Sequence, residues 1–159
     1  MTATRFSGVL VPVLTPFKVD LSPDRDRFVK ICRWILAHGA TGLAPFGTTS
    51  EANSMAVEER MELLEALVDN GIPGDKLMPG AGTCNLTDNV KIARHAVKLG
   101  CRGILMLPPF YYKNMSDEGM FAMFSESIQR IGSADLQVYL YHIPPQTVTG
   151  ISLKLIEML

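Results

Sequence analysis

The sequence predicts an α/β fold in which parallel strands alternate with helices. Five short apolar runs are separated by longer amphipathic stretches, and the runs are nearly uninterrupted, as in strands covered on both faces. This alternation implies parallel pairing with helical crossovers. A doubly wound sheet fits the 159 residues directly. A (β/α)8 TIM barrel needs about 250 residues, so the chain would supply about its first five βα units, and composition alone does not choose between the two.

The apolar runs set the predicted strands, which cover residues 8–14, 42–46, 76–82, 103–108 and 136–144. A hydroxyl side chain suited to cap a helix precedes each amphipathic stretch, and the predicted caps are Ser22, Ser54, Thr87, Ser116 and Ser152. Glycines close the helices, and the predicted helix ends are Gly39, Gly71, Gly100 and Gly132. "HGATGL" (38–43) and "LGCRGI" (99–104) both read as helix end, glycine, two residues, glycine and strand, which indicates a repeat two βα units apart.

Composition limits the classes of partner. Hydrophobic residues make up 47% and charged residues 19% of the chain, and 15 basic against 16 acidic side chains leave a net charge of −1. This balance argues against strong attraction to nucleic acid or to anionic membranes. No stretch approaches the roughly eighteen apolar residues of a membrane span. Three scattered cysteines without CxxC spacing fit a reducing compartment, so we expect a cytoplasmic protein without nucleic acid or membrane partners.

Two kinds of cofactor motif are absent from the sequence. Neither GxGxxG nor GxxxxGK[ST] occurs, so nucleotide binding has no support. No histidines and carboxylates share a metal-binding spacing. We therefore expect neither a cofactor nor a metal, and we expect His38, His95 and His142 to be structural.

The loop after the second predicted strand, P-F-G-T-T-S-E (45–51), is the first candidate site. Gly47 permits close approach of a ligand to the backbone. Thr48 and Thr49 bring hydroxyl and backbone N–H donors together, and such donors can accept a small carboxylate. The alternative is that these residues only cap turns, and the spacing does not separate the two interpretations.

Tyrosines mark the two following loops. Tyr111 and Tyr112 lie in L-P-P-F-Y-Y-K (107–113), where packing or an interface is the simpler interpretation. Tyr141 ends the last apolar run in "LYHIPPQ" (140–146). The carboxyl end of a parallel barrel strand is the catalytic rim, so its hydroxyl is either a proton carrier or a polar group at the edge of the core. Strand alternation turns His142 away from Tyr141.

Five short motifs occur in order, each at a strand end: V-x-T-P-F at 13–17, G-T-T-S-E at 47–51, G-A-G at 80–82, P-F-Y-Y at 109–112 and Y-H-I-P at 141–144. Each is weak alone. Together they resemble the dihydrodipicolinate synthase and N-acetylneuraminate lyase family, and the resemblance runs from about Gly8 to the last residue.

The resemblance implies a (β/α)8 barrel that forms a Schiff base between a lysine and pyruvate or a related 2-keto acid. By this resemblance Thr48 and Thr49 hold the carboxylate of the keto acid. Tyr141, Thr48 and Tyr112 form a proton relay, with Tyr112 inserted by a neighbouring subunit. The family also implies a homodimer or homotetramer with Tyr111 and Tyr112 near the dimer interface. A chain of hydroxyl groups can pass a proton without leaving a formal charge in an apolar barrel mouth.

The family's Schiff-base lysine lies on the sixth strand, which residues 1–159 do not include. Lys76 lies at a strand start, Lys113 lies in the loop at 107–113, which we call the tyrosine loop, and Lys154 lies on a polar helix face. None has the desolvated setting that such an amine needs. We therefore expect residues 1–159 to be the N-terminal portion of a single barrel domain, without strands six to eight and inactive alone. The alternatives are a keto-acid-binding or inactive barrel fragment and a stand-alone doubly wound domain.

Two positions depart from the family pattern. Ser50 replaces the second glycine of G-T-T-G-E, and its larger side chain is expected to reshape the loop. Gln146 stands where synthases of the lysine pathway carry an arginine that fixes the second substrate's carboxylate. A neutral amide cannot form that bidentate pair, so a sugar-derived or other 2-keto acid is favoured over the synthase reaction.

Overall fold

The structure, a computed structural model, describes residues 5–159. Its strands are β1 (Leu10–Pro12), β2 (Gly42–Ala44), β3 (Gly103–Met106) and β4 (Gln137–Leu140). Its helices are α1 (Arg25–Ala37), α2 (Val57–Asp69), α3 (Leu86–Lys98), α4 (Asp117–Ile131), α5 (Pro144–Thr147) and α6 (Leu153–Met158). Short 3-10 turns cover Ala52–Ser54 and Gly74–Lys76.

The strands are parallel and follow one another in chain order. β1 pairs with β2, and β3 pairs with β4. Residues 77–81 lie between the two pairs, with parallel bridges from Leu77 to Leu43 and from Gly80 to Leu105. Five consecutive parallel segments without a reversal of order favour a barrel, because a doubly wound sheet reverses its strand order at its switch point.

The predicted third strand at 76–82 is wrong as a regular strand, although the chain runs there as expected. The Met78 amide donates to the Leu43 carbonyl at 2.9 Å, and the Leu105 amide donates to the Pro79 carbonyl at 3.0 Å. Pro79 has no N–H to return toward β3, so the ladder is interrupted at the centre of the segment.

The predicted fifth strand also ends earlier than expected, at Leu140 rather than at residue 144. Proline at the start of α5 suits the first turn of a helix and cannot continue a strand ladder. The Tyr141 amide still donates to the Met106 carbonyl at 2.9 Å, so Tyr141 occupies the position just beyond the strand.

Three predicted helix caps are corrected, and two are confirmed. Asp24 caps α1 in place of Ser22, because its carboxylate accepts the Arg27 amide at 3.0 Å. Asn85 caps α3 in place of Thr87, accepting the Asp88 amide at 2.8 Å. The confirmed caps are Ser116 and Ser152.

The second helix begins later than predicted. Ser54 ends a 3-10 turn, and Ala56 is the cap of α2. Its backbone N–H is satisfied by the Glu59 carboxylate at 2.8 Å, so a side chain from inside the helix replaces the missing cap hydroxyl.

The helices end where glycine permits a left-handed backbone. Gly39, Gly71, Gly100 and Gly132 have φ values of 101°, 84°, 79° and 68°. These values confirm the glycine positions that the sequence marked as helix ends. Each glycine lets the chain turn back toward the next strand without the penalty that a Cβ atom would bring.

The core lies between the helices and the parallel segments. Its largest fully buried side chains include Phe28, Phe124, Leu64 and Met106. All three residues of β2 are buried, whereas all four residues of β4 are half-buried. Because β4 pairs with a strand on one side only in residues 5–159, it forms an edge of the sheet. No helix in the described part of the chain has the length and apolar character to cross a membrane.

Candidate active site at the carboxyl ends of the strands

A pocket of about 240 Å³ opens at the carboxyl ends of the parallel segments. Its walls come from the loops after β2, after residues 77–81, after β3 and after β4. The lining residues are Phe46, Gly47, Thr48, Glu51, Ala52, Asn53, Ser54, Gly80, Gly82, Leu105, Leu107, Phe110, Tyr141, Gln146 and Thr147. Four loops that are distant in sequence therefore meet around one cavity, as in a barrel mouth.

The loop after β2 is a tight turn between two left-handed residues. Phe46 has φ 63° and Glu51 has φ 55°, values that are costly for residues with a Cβ atom. The Glu51 amide donates to the Thr48 carbonyl at 3.1 Å, and the Ala52 amide donates to the Gly47 carbonyl at 3.3 Å. These bonds fold the loop onto itself and leave the Thr48 side chain at the pocket.

Buried contacts hold both ends of this loop. The Phe46 ring stacks on Phe28 with the ring centroids 5.7 Å apart. Ser50 is fully buried, and its hydroxyl donates to the Val13 carbonyl in the segment after β1. The serine that departs from the family motif thus joins the threonine loop to the segment after β1, a role that the sequence did not reveal.

Glycine is required where residues 77–82 pass beneath the loop. A Cβ atom on Gly80 would lie 2.1 Å from the Phe46 carbonyl oxygen. On Gly82 it would lie 2.8 Å from the Leu107 Cβ atom. The G-A-G motif therefore allows three segments of the site to approach closely, whereas a Cβ atom on Gly47 would meet nothing within 4 Å.

Tyr141 lines the pocket together with the loop after β2, residues 45–51, which we call the threonine loop. It is half-buried and directly follows β4, and its side chain lines the same pocket as Thr48. Tyr139, two residues earlier, is engaged elsewhere, because its hydroxyl donates to Gln137 Oε1 at 2.6 Å and accepts the Phe6 amide at 3.4 Å. The two tyrosines of β4 and its end thus have different environments.

The remaining candidate residues lie outside this cavity. Thr49 is exposed and does not line it. Tyr111 and Tyr112 are 74% and 56% exposed, and their rings meet edge to face with the centroids 5.5 Å apart. The structure therefore brings together Gly47, Thr48 and Tyr141 within one chain, but not Thr49, Tyr111 or Tyr112.

The pocket contains little charge. Among its described lining residues Glu51 is the single carboxylate, and none is Lys, Arg or His. Gln146 lines the cavity, at the position that the sequence singled out. The structure adds Asn53, Ser54 and Thr147 to the lining, and these were missed because their placement depends on how the loops fold back.

None of the lysines considered for the Schiff base lines the pocket, although Lys113 contacts the carbonyl oxygens of two lining residues. Lys154 pairs with Glu118 at 2.6 Å on the exposed face of α6, and this carboxylate raises the pKa of the lysine. A raised pKa is opposite to what a nucleophilic amine requires. Lys76 is exposed at the opposite end of residues 77–81.

Two of the histidines are hydrogen-bonded to the backbone, and two of the cysteines are buried. His142 Nδ1 accepts the Ile151 amide at 3.0 Å, and His38 Nδ1 lies 2.7 Å from the Trp34 carbonyl oxygen. Burial raises the pKa of the Cys32 and Cys101 thiols to about 12, so both stay protonated near neutral pH. Within residues 5–159 no three His, Cys, Asp or Glu side chains form a group that could hold a metal ion.

Parallel βα units in chain order, with a pocket at their carboxyl ends, define the class of barrel proteins that place binding loops on this face. The sequence profile of the dihydrodipicolinate synthetase family matches residues 5–159. The chain belongs to this family, which confirms the resemblance seen in its motifs.

Related proteins agree in fold and exceed the chain in length. The chain is 34% identical to 4-hydroxy-tetrahydrodipicolinate synthase of Rhodopseudomonas palustris, over 100% of the chain and 52% of that protein. The crystal structure of dihydrodipicolinate synthase from Agrobacterium tumefaciens matches with a TM-score of 0.90 and 33% identity, over 94% of the chain and 52% of that structure.

An aldolase is also similar. A variant of 2-keto-3-deoxygluconate aldolase from Sulfolobus solfataricus matches with a TM-score of 0.83 and 27% identity, over 94% of the chain and 49% of that structure. The chain therefore spans about half the length of the relatives it matches. Its fold is part of a (β/α)8 barrel, as the motifs implied.

Proposed function

We propose that the chain supplies the first five βα units of a Schiff-base-forming lyase that acts on pyruvate or a related 2-keto acid. The observation that carries this proposal is the single pocket lined by both Thr48 and Tyr141. Membership of the dihydrodipicolinate synthetase family supports the class of chemistry. The complete protein is proposed to add three βα units, including the sixth strand with its lysine, to the same domain.

The threonine loop is the proposed carboxylate site. Without Lys or Arg among the described pocket residues, a carboxylate would depend on neutral donors such as the Thr48 hydroxyl and the backbone N–H groups of the loop. Thr48 and Thr49 follow Gly47, where the absence of a side chain leaves open space for close approach. Fixed neutral donors can stabilise an anion when they are preorganised.

Tyr141 is the proposed proton carrier. During Schiff-base formation the lysine nitrogen attacks the keto carbon, and the keto oxygen leaves as water after accepting protons. A tyrosine hydroxyl at the pocket wall can donate such a proton and take one back from the next hydroxyl of a relay, so that no charge remains on the phenol oxygen. Thr48 and the Tyr112 of a neighbouring subunit are proposed to continue the relay.

The exposed tyrosine pair supports an assembly of subunits. Tyr111 and Tyr112 lie outside their own pocket and are largely exposed, which supports a role at an interface between subunits. We therefore propose a homodimer or homotetramer in which the loop of one subunit approaches the site of another. The three free cysteines support a reducing, cytoplasmic location.

The proposed class of second substrate is inferred from Gln146. Gln146 lines the pocket and its amide carries no charge, so it would hydrogen-bond a hydroxylated substrate better than it would fix a second carboxylate. This favours an aldolase or dehydratase reaction on a sugar-derived or other 2-keto acid. The likeness to 2-keto-3-deoxygluconate aldolase is compatible with this reaction but does not select it, since a dihydrodipicolinate synthase structure matches at higher identity.

A keto-acid-binding role without covalent chemistry is the second candidate for residues 1–159. No lysine is among the described residues that line the pocket, and Lys154 is committed to Glu118. This arrangement would bind a keto acid reversibly and would not trap it.

A binding measurement tests the carboxylate site on the complete protein. Pyruvate is titrated into the wild type, into Thr48→Val and into a matched Thr87→Val control in the first turn of α3, with calorimetry as the readout. We expect Thr48→Val to weaken pyruvate binding about tenfold through the loss of one hydrogen bond to an anion. Equal dissociation constants for the wild type and Thr48→Val would contradict the proposed site.

A further inference from the structure

Lys113 joins two loops that border the pocket. Its ammonium group donates to the carbonyl oxygen of Phe110 in the loop after β3. It also donates to the carbonyl oxygen of Thr147 in α5, at 3.2 Å. Both acceptor residues line the pocket, whereas Lys113 itself does not. One side chain therefore connects the tyrosine loop to the segment that follows Tyr141.

The two connected segments differ in how firmly they are held. Thr147 is 3% exposed, and its hydroxyl lies 2.8 Å from the Thr149 carbonyl and 3.1 Å from the Ile143 carbonyl. The tyrosine loop is exposed at Tyr111 and Tyr112. Lys113 thus fixes an exposed loop to a buried anchor.

A residue with a left-handed backbone conformation directly follows Lys113, and another directly follows Thr147. Asn114, directly after Lys113, has φ 57°, and Val148, directly after Thr147, has φ 53°. Asparagine adopts the left-handed region readily, whereas valine keeps it only where surrounding contacts favour it. The Val148 amide donates to the Pro144 carbonyl at 2.8 Å, so this turn contains a backbone bond that reports on its order.

We propose that Lys113 is a positioning residue that fixes the tyrosine loop against the Gln146–Thr147 wall of the pocket. It acts through the carbonyl groups of Phe110 and Thr147 and does not contact the substrate. A charged donor suits this role because hydrogen bonds from an ammonium group are stronger than those from neutral donors. Its consequence for ligand binding rests on the proposed function, whereas the connection between the loops does not.

Hydrogen–deuterium exchange on the complete protein tests the connection. Lys113→Met removes the donors but keeps an unbranched apolar side chain, and Lys113→Arg keeps the charge and the donors. Lys154→Met is the matched control, because it removes an exposed lysine that pairs with Glu118 at 2.6 Å. We expect Lys113→Met to raise exchange about tenfold at residues 146–149 and in the tyrosine loop, with an unchanged melting temperature. Lys113→Arg restores protection, and Lys154→Met leaves it at the wild-type value.

Pyruvate affinity is measured on the same variants. We expect Lys113→Met to weaken pyruvate binding about threefold to tenfold, with recovery in Lys113→Arg, a pattern that a purely structural surface lysine would not give. Unchanged exchange at residues 146–149 in Lys113→Met overturns the proposal, as does faster exchange with unchanged pyruvate affinity. If the wild type itself does not bind pyruvate, the proposed function fails, and the exchange comparison still decides whether Lys113 holds the two loops together.

Discussion

The Ser50 hydroxyl donates a hydrogen bond to the Val13 carbonyl oxygen, and this contact joins the loops that follow β1 and β2. Ser50 is fully buried and directly follows the two threonines of the proposed carboxylate site. The family motif has glycine at this position and therefore lacks the hydroxyl. In this chain the hydrogen bond restrains the loop at a position where the motif has a flexible glycine.

Removing the Ser50 hydroxyl is expected to loosen the threonine loop. Ser50→Ala leaves the Val13 carbonyl without its buried donor, which should cost about 1–3 kcal/mol of unfolding free energy. Pyruvate affinity should fall because Thr48 is less firmly held. Chemical denaturation and calorimetry measure the two effects, and Ser133→Ala outside the site is the control. A Ser50→Ala variant as stable as the wild type would show that the contact contributes nothing.

Tyr141→Phe is expected to lower turnover by about 10²–10⁴ with little effect on folding, because it removes one proton-transfer hydroxyl and keeps the ring. Tyr139→Phe is the matched control two residues earlier, since its hydroxyl bonds to Gln137 away from the pocket. Steady-state kinetics and melting curves on the complete protein separate the two variants. Equal turnover in Tyr141→Phe and wild type would exclude the relay.

Glycine substitutions should separate stability from binding. Gly80→Ala places a Cβ atom 2.1 Å from the Phe46 carbonyl oxygen, and forcing the backbone apart should cost about 3 kcal/mol. Gly47→Ala meets nothing within 4 Å and should fold normally but bind pyruvate more weakly. Thermal melting and pyruvate titration test the pair. Gly47→Ala binding with wild-type affinity would rule out close approach of the ligand at this residue.

Gln146→Arg tests the proposed substrate class. An arginine in the pocket wall should favour an aldehyde that carries a carboxylate, through a bidentate pair that glutamine cannot form. We expect about a tenfold increase in kcat/KM for aspartate semialdehyde relative to a hydroxylated aldehyde. The comparison uses initial rates with pyruvate as the common substrate. If the wild type already condenses aspartate semialdehyde efficiently, the argument from Gln146 is wrong.

Much of the fold could be predicted because apolar runs and glycine positions report on local structure. Gly39 and Gly132 mark helix ends directly, and Ser116 caps α4 as expected. Features that depend on contacts between distant residues could not be predicted from local sequence patterns. The apolar pattern at 76–82 predicts a strand, but Pro79 interrupts its hydrogen-bond ladder. Ser54 does not cap α2 as predicted, because the Glu59 carboxylate accepts the Ala56 amide at the start of that helix.

The candidate site was predictable only where its residues stand at strand ends. Thr48 and Tyr141 were found because the carboxyl ends of parallel strands converge, and both line the pocket. The contacts of Ser50 and Lys113 join residues more than thirty positions apart. Such pairings depend on how the loops fold back over the barrel mouth, which no local sequence pattern encodes.

Covalent trapping tests the central proposal most directly. The complete protein is incubated with pyruvate and borohydride, and its intact mass and peptide map are measured. A Schiff-base lyase predicts one reduced pyruvate adduct per chain on a lysine other than Lys76, Lys113 and Lys154, and loss of the adduct when borohydride is omitted. A complete protein that remains unmodified at saturating pyruvate would contradict the lyase proposal and would leave reversible keto-acid binding as the function of the pocket.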